Sequence, residues 1–558
     1  MKKKMIACLL TLSLVASALV GCGGKTEPSS AQGEKESETA KETETKTEEE
    51  GDSNAGEEAE TASKYQTTYG SKTFDNVTIT VELFDRSNAP EGSTITENKW
   101  TDYVKQEMGK VGINVEFVPV PRWDEVTKMQ AMVASQTAPD LTLTYTYAYA
   151  EDYFNQGGTW DLSEFIDGAD QAQNMKAYLG DEVLDIGRNA DNQLYGIVAK
   201  RATTAKSNLF LRKDWLDELN LAVPTTPDEL YHVIEQMVKS NPDGRKDALG
   251  LVWNAWNLRM AFSKLAADPI ALEIASTEDA IADYYDAGMR DYYRFMNKMY
   301  NNGLLNQEYY TMSEDDFKSY IVTGAAVFFE YAVNASVDVL RGSLLKTLQE
   351  NDPSADIISI PPLKNVNDGK QYSAAYASGG LIAFCPKTAD EETVEACMTY
   401  LDWMCSEDGG FVIYHGFEGE HFDFDANGVP VVKDAEYNSQ DKDWIRTDLF
   451  ATGNQGYFAT VEDFNACTSK EAPGYEDHVI ANYENALVGT VNHDSTYTSP
   501  STPELITDLN LVRDEYQVEC ITCPMDQFEA TYDEYMAQLE NAGVQTVIDE
   551  RTEYYNNK

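Results

Sequence analysis

The chain has 558 residues, three to four times the length of an ordinary domain, so a single small module is excluded and two or more lobes with sizeable cores are expected. Its 95 acidic residues stand against 43 basic ones, and the formal charge of −52 argues against a broad nucleic-acid or anionic-membrane footprint, since both need clustered Lys and Arg. Eight cysteines and five histidines argue equally against a disulfide scaffold or a multi-histidine metal centre.

In chain order, Lys2, Lys3 and Lys4 precede an uncharged apolar run from Met5 to Val20, too short to span a bilayer comfortably, and residues 1–21 read as a secretory signal. Its end, Leu19-Val20-Gly21-Cys22, resembles the bacterial lipobox. That likeness implies that Cys22 is acylated after cleavage and fixes the chain to the outer face of the cell membrane by more than one acyl chain. From Gly23 to about Lys64 there is no aromatic residue and no Leu, Ile, Val or Phe, and residues 25–64 hold 13 acidic against 5 basic residues. Residues 22–73 are therefore expected to be a lipidated cysteine and a disordered acidic tether, since such a composition cannot bury enough surface to fold.

The first predicted strand is Val77 to Phe84, followed by a helix from about Thr96 to Gly109 and a second strand from Ile113 to Val120. A helix from about Asp124 to Ser135 follows, with Val126, Met129 and Met132/Val133 spaced for one buried face, and Ala138-Pro139-Asp140 ends it before a third strand at Leu141 to Tyr145. Strand and helix in alternation predict a parallel α/β layer. Ligands of such sheets sit beyond the carboxyl ends of the strands, which puts Asp85, Arg86, Tyr145 and Tyr147 at the rim of a cleft.

Lys128 to Asp140, Leu194-Tyr195-Gly196, and Leu211-Arg-Lys-Asp-Trp-Leu216 with Val223-Pro-Thr-Thr226 resemble, in order and spacing, the family 1 extracellular solute-binding proteins of ABC importers. Gly416 to Phe422, Asp425-Ala-Asn-Gly428 and the closing segment Phe528 to Tyr555, with its Ala542-Gly543 turn, are similar to the long lipoprotein branch that includes binders of alginate and rhamnogalacturonan oligosaccharides. The resemblance implies an α/β, two-lobe periplasmic-binding-protein-like fold of type II topology. Lobe 1 would take 74–199 and about 376–435, and lobe 2 about 205–370 and part of 436–558, with crossings near Val198 to Lys206 and Ala374 to Gly380. It further implies a monomer that captures a small carbohydrate, most simply an oligosaccharide, and delivers it to the transmembrane subunits of an ABC permease. A binder of a peptide or other non-sugar solute is the alternative, and a cell-surface glycoside-active enzyme a weaker one.

Sugar recognition asks for flat aromatic faces against C–H patches, with charged or amide groups for the hydroxyls. Trp253-Asn-Ala-Trp256-Asn-Leu-Arg259 supplies all of these in seven residues, and Phe328-Phe329-Glu330-Tyr331 ends an apolar run as a second candidate rim. No HExxH, GxSxG, phosphate loop or GxGxxG occurs, so no catalytic residue is assigned; His421 reads as a structural neighbour of Glu418. Cys520-Ile-Thr-Cys523 has redox or zinc spacing without a second pair and reads as incidental thiols, with a local disulfide as the alternative. Asn241, Asp243 and Asp247 lie where the related branch often carries a longer calcium loop. This one is short and interrupted by Arg245, so a plain turn is preferred and no cofactor is assigned.

Overall fold

A computed structural model describes residues 73–189, 191–201, 204–250, 255–275, 279–338, 341–376, 379–453, 467–470, 472–492, 497 and 499–557. The signal, Cys22, nearly all of the tether, and Trp253 lie outside the described residues. No described helix is long and apolar enough to cross a membrane.

The strands that build the two main sheets and their connection are β1 (Val77–Asp85), β2 (Ile113–Pro121), β3 (Thr142–Thr144), β4 (Ile197–Lys200), β5 (Asn208–Arg212), β6 (Leu249–Gly250), β7 (Ala326–Tyr331), β8 (Ile357–Ile360), β9 (Ser373–Ala375) and β10 (Gly379–Phe384). β1 and β2 run parallel through nine paired residues. β3 joins β1 through Leu141, which accepts from the Glu82 N–H and donates to the Thr80 carbonyl, both at 3.0 Å. β10 returns antiparallel between β3 and β4. The layer therefore reads β2-β1-β3-β10-β4, with β1 to β4 all pointing the same way. The helix Lys99–Gly109, opened by a capping box at Asn98, buries Trp100, Val104 and Met108 in the first core. Helix Glu125–Ala134 buries Met129, while Val126, Met132 and Val133 are only half-buried.

A second layer, β6-β7-β5-β8, carries its own core, formed by Leu211, Trp215, Tyr293 and Val327 among others. The C-terminal helices Thr502–Thr522, Phe528–Asn541 and Val544–Asn557 close this core through Leu509, Tyr535 and Ile548. The expected turn lies between the last two helices, where Gly543 takes φ 95°. The first core draws on residues up to Ala199 and again from Leu381 to Phe450, including Trp444, Ile445 and Leu449 beyond the expected limit near 435. Between the cores the chain passes out after β4 and back after β9. These segments are tied to each other: Ala205 bridges Ala375, Lys206 N–H donates to the Ala374 carbonyl at 2.8 Å, and Tyr376 N–H to the Thr204 carbonyl at 3.1 Å.

Candidate functional site

Because β1, β2 and β3 run in one direction, the residues just past their ends share one rim. Arg86 follows β1 and lies in a bidentate pair with Asp448, with contacts of 2.7, 2.9 and 3.0 Å; Asp85 caps the Ser87 N–H at 2.7 Å. Tyr145, past β3, stacks on Phe84 with ring centroids 5.9 Å apart. Two residues past β2 were not singled out in the sequence. The Arg122 guanidinium lies 4.2 Å from the Tyr145 ring centre and 5.2 Å from that of Phe84, and the neighbouring Trp123 is 79% exposed. Their signal was available, since Pro121-Arg122-Trp123 occupies the same strand-end position that drew attention to Arg86 and Tyr145. Tyr147 reaches across to β10, donating to the Gly380 carbonyl at 2.5 Å.

Beneath this rim two carboxyls are buried. Glu82 accepts the Leu143 N–H at 2.9 Å while its other oxygen has no hydrogen-bond partner among the described residues. Burial, with Glu125 as a lesser neighbour, pushes the Glu82 carboxyl up to about 8. Glu125 is raised for the same reason.

A second group gathers where the chain crosses between the cores. Half-buried Trp256 opens a short helix, and the Lys206 ammonium sits 5.1 Å from its ring centre and 5.7 Å from that of Tyr376. Arg201 lies 3.5 Å from the Tyr376 ring centre. The helix is fixed by its neighbour Asn257, which donates to the Ser207 carbonyl and accepts from the Ala374 N–H at 3.0 Å, thereby holding both crossing segments. Glu330 in turn accepts from Asn257 N–H at 2.8 Å, Leu258 N–H at 3.1 Å and the Ser207 hydroxyl at 2.5 Å. Desolvation outweighs these bonds and pushes its carboxyl up to about 7. Between the Asn334–Asp338 turn on one side and Tyr414, Asp443 and Arg446 on the other lies a cavity of about 100 Å³. Arg446 covers the Tyr414 ring at 4.6 Å.

Other expected rim residues lie inside. β7 is flanked by β5 and β6, and Phe329 is buried against Phe210 with centroids 4.9 Å apart, while Tyr331 bonds Glu314 from the core. Glu330 serves the backbone as described. Arg259 is buried in an ion pair with Asp283, which also accepts from the Tyr293 and Tyr535 hydroxyls at 2.6 and 2.7 Å. In the loop suggested for calcium, the Asn241 side-chain oxygen takes the Arg245 N–H at 2.8 Å, and Asp247 pairs with Arg245. Asp243 is held by Arg212 at 3.3 Å and by the Trp215 indole at 3.0 Å. The oxygens are satisfied by N–H donors, and the segment is a turn closed by Gly244 N–H on the Asn241 carbonyl.

A family model for bacterial extracellular solute-binding proteins matches residues 102–417. The chain belongs to this family. The matched stretch takes in β2, β3, both crossing segments and β10, so this solute-binding protein carries its crossing and the Arg122 and Tyr145 part of its rim inside the family's shared region, while β1, Arg86 and Asp448 lie outside it. Among curated relatives, the polygalacturonan/rhamnogalacturonan-binding protein YtcQ of Bacillus subtilis is 25% identical over 53% of this chain and 57% of its own length. Lipoprotein LipO of the same organism is 24% identical over 51% and 55%. The chain thus spans little more than half the length of either. Solved structures extend the likeness of fold to nearly the whole body. Alginate-binding protein AlgQ2 matches with a TM-score of 0.60 at 18% identity, covering 87% of this chain and 99% of that one. FusA of S. pneumoniae, in complex with kestose, matches with a TM-score of 0.62 at 14% identity, covering 86% and 99%.

Among the described residues of this solute-binding protein, Glu420, His421 and Asp441 converge closely enough to suggest a cation site. Lys99 already bonds both carboxylates, at 2.7 and 3.1 Å. His421 Nδ1 accepts the Phe417 N–H at 3.0 Å, so Nε2 carries the proton and donates to Asp441 at 2.8 Å, leaving no lone pair for a metal. The cluster ties the Gly416–Phe422 segment to the first lobe.

Proposed function

We propose that the protein is the extracellular receptor of an ABC importer, held on the outer face of the membrane by acylated Cys22, which captures an oligosaccharide between its lobes and passes it unchanged to the permease. The observation that carries this reading is the gathering of aromatic faces and cations at the strand-end rim and the crossing: Trp123, Tyr145, Tyr376 and Trp256 with Arg122, Arg201 and Lys206. Such surfaces pack against sugar C–H patches while the cations meet hydroxyls or acids. The saccharides that YtcQ, AlgQ2 and FusA bind support the same class of solute.

For a disaccharide of ~23 heavy atoms, about 0.3 kcal/mol per atom gives binding near −7 kcal/mol, a dissociation constant of order 10 μM. A solute touching both lobes favours the closed arrangement by its differential affinity, and the permease reads that form. A thermal-shift screen of plant and host oligosaccharides tests the reading: a native-state ligand raises the melting temperature, and mass spectrometry recovers it intact after long incubation. A peptide giving a shift where every glycan fails refutes sugar capture, and turnover of the bound sugar refutes passive delivery.

A further inference from the structure

In a chain with 95 acidic residues, a guanidinium without a carboxylate partner is the exception. Ten of the thirteen arginines form an ion pair with Asp or Glu. Arg551 is taken by the backbone carbonyls of Glu273, Ile274 and Tyr497. Only Arg122 and Arg201 make no ion pair or hydrogen bond among the described residues, and each instead lies over an aromatic ring, Tyr145 at 4.2 Å and Tyr376 at 3.5 Å. The Arg122 Nε is buried without an acceptor. Arg122 feels Glu125 and Asp448 without bonding to either; Asp448 is occupied by Arg86, and burial holds the Glu125 carboxyl towards its neutral form.

The two are related by the sheet. Arg122 is the first residue after β2 and Arg201 the first after β4, at the outer strands of the order β2-β1-β3-β10-β4. β2 and β4 point the same way, so both arginines lie on the same rim, four interstrand steps apart, roughly 19 Å. Arg86, placed between them, is neutralised by Asp448, and Arg259 by Asp283. A ring beneath a guanidinium fixes its plane while leaving its in-plane N–H donors for an acid, the geometry that suits a carboxylate.

We propose that the captured solute is an acidic oligosaccharide, and that Arg122 and Arg201 bind its sugar carboxylates at opposite ends of the rim. This rests on the carbohydrate-capture reading and narrows it to uronate-bearing chains long enough to reach both arginines. Trp123, exposed beside Arg122, supplies the stacking face for the sugar ring at that end.

Isothermal calorimetry on the full chain in detergent, with a galacturonate oligosaccharide, its carboxyl-reduced neutral counterpart and a sulfated oligosaccharide, tests the proposal. The uronate is expected to bind at least tenfold more tightly than the other two, with affinity falling as salt rises. Arg122→Gln and Arg201→Gln are each expected to lose tenfold or more for the uronate, with unliganded melting unchanged, and Arg122→Lys to recover part of the loss. The comparison of ligands on the unaltered protein stands even if a variant fails to fold. Equal or tighter binding of the neutral counterpart overturns the inference and leaves sugar capture standing; tighter binding of the sulfated chain overturns the carboxylate assignment. Binding of none of the three, with no response to any other glycan, overturns both.

Discussion

Replacing Glu82 by Gln changes how the stability of the first lobe responds to pH. The Glu82 carboxyl is buried under β3, one oxygen has no hydrogen-bond partner among the described residues, and burial raises it from 4.5 to about 8. A raised carboxyl binds its proton more tightly folded than unfolded, so its contribution is complete below pH 4.5, declines as pH rises through the interval, and is gone above about pH 8. At 1.36 kcal/mol for each pH unit, the window is worth up to about 5 kcal/mol. Glu330, raised to about 7 by burial, adds a decline of the same sign over a shorter range. Urea unfolding followed by tryptophan fluorescence at pH 5, 6, 7, 8 and 9 should show the parent protein weakening steadily towards alkali. The Glu82→Gln protein should match it near pH 5 and exceed it increasingly above pH 6. A gap between the two that stays constant from pH 5 to pH 9 would refute the reasoning, because a group that does not titrate within the window cannot produce the difference.

Trp256→Ala should weaken solute binding by about 1 kcal/mol or more in calorimetry while unliganded melting changes little, since the half-buried ring only edges the small cluster of Met260, Leu272, Tyr372 and Ala374 at the crossing. Arg212→Leu should destabilise the second lobe by about 2–3 kcal/mol in urea, leaving Asp214, Asp243 and Asp352 without their shared cation; their part exposure keeps the loss below that of a fully buried pair. Gly288→Ala should cost about 3 kcal/mol in the same assay, because the new Cβ would stand 2.1 Å from the Phe262 carbonyl oxygen, a backbone atom that cannot swing aside.

The first lobe was legible because local patterns and the sheet agree. β-branched runs at 77–85 and 113–121, separated by a helix with one apolar face, left little choice but a parallel pair, and the strand-end rule then located Arg86 and Tyr145. Arg122 and Trp123 were equally accessible by that rule. The second lobe was harder to read. A motif such as Phe328 to Tyr331 carries the same aromatic and acidic groups whether it edges a cleft or fills a core. What decides is that β7 lies between two neighbours in the sheet, a long-range pairing that no local period reports. Arg259 is opaque to local reading for the same reason, because its partner Asp283 is brought to it by a separate helix, and Tyr535 by a third from the far end of the chain.

The same long-range pairing explains why the crossing can act as a unit. Ser207 and Ala374 belong to different passages of the chain, yet Asn257 bonds both, and Glu330 bonds Asn257, Leu258 and Ser207. The Trp256 ring is therefore attached to the crossing through its own neighbour, so rotation about the crossing carries the ring with it. Arg201 and Tyr376 flank the same segments, and their 3.5 Å stack spans the two passages. A carboxylate bound at Arg201 would thus sit on the axis about which the lobes turn, whereas one bound at Arg122 would sit at the far edge of the sheet. Both arginines stand on the first lobe's sheet, so a rigid solute held by the pair moves with that lobe, and it is the Arg201 end, beside the crossing and Trp256, that meets the second lobe as the lobes close. Arg201→Gln should therefore reduce ligand-induced compaction in solution scattering more than Arg122→Gln does at matched saturation, and an equal or smaller reduction would refute the coupling of the Arg201 end to the crossing.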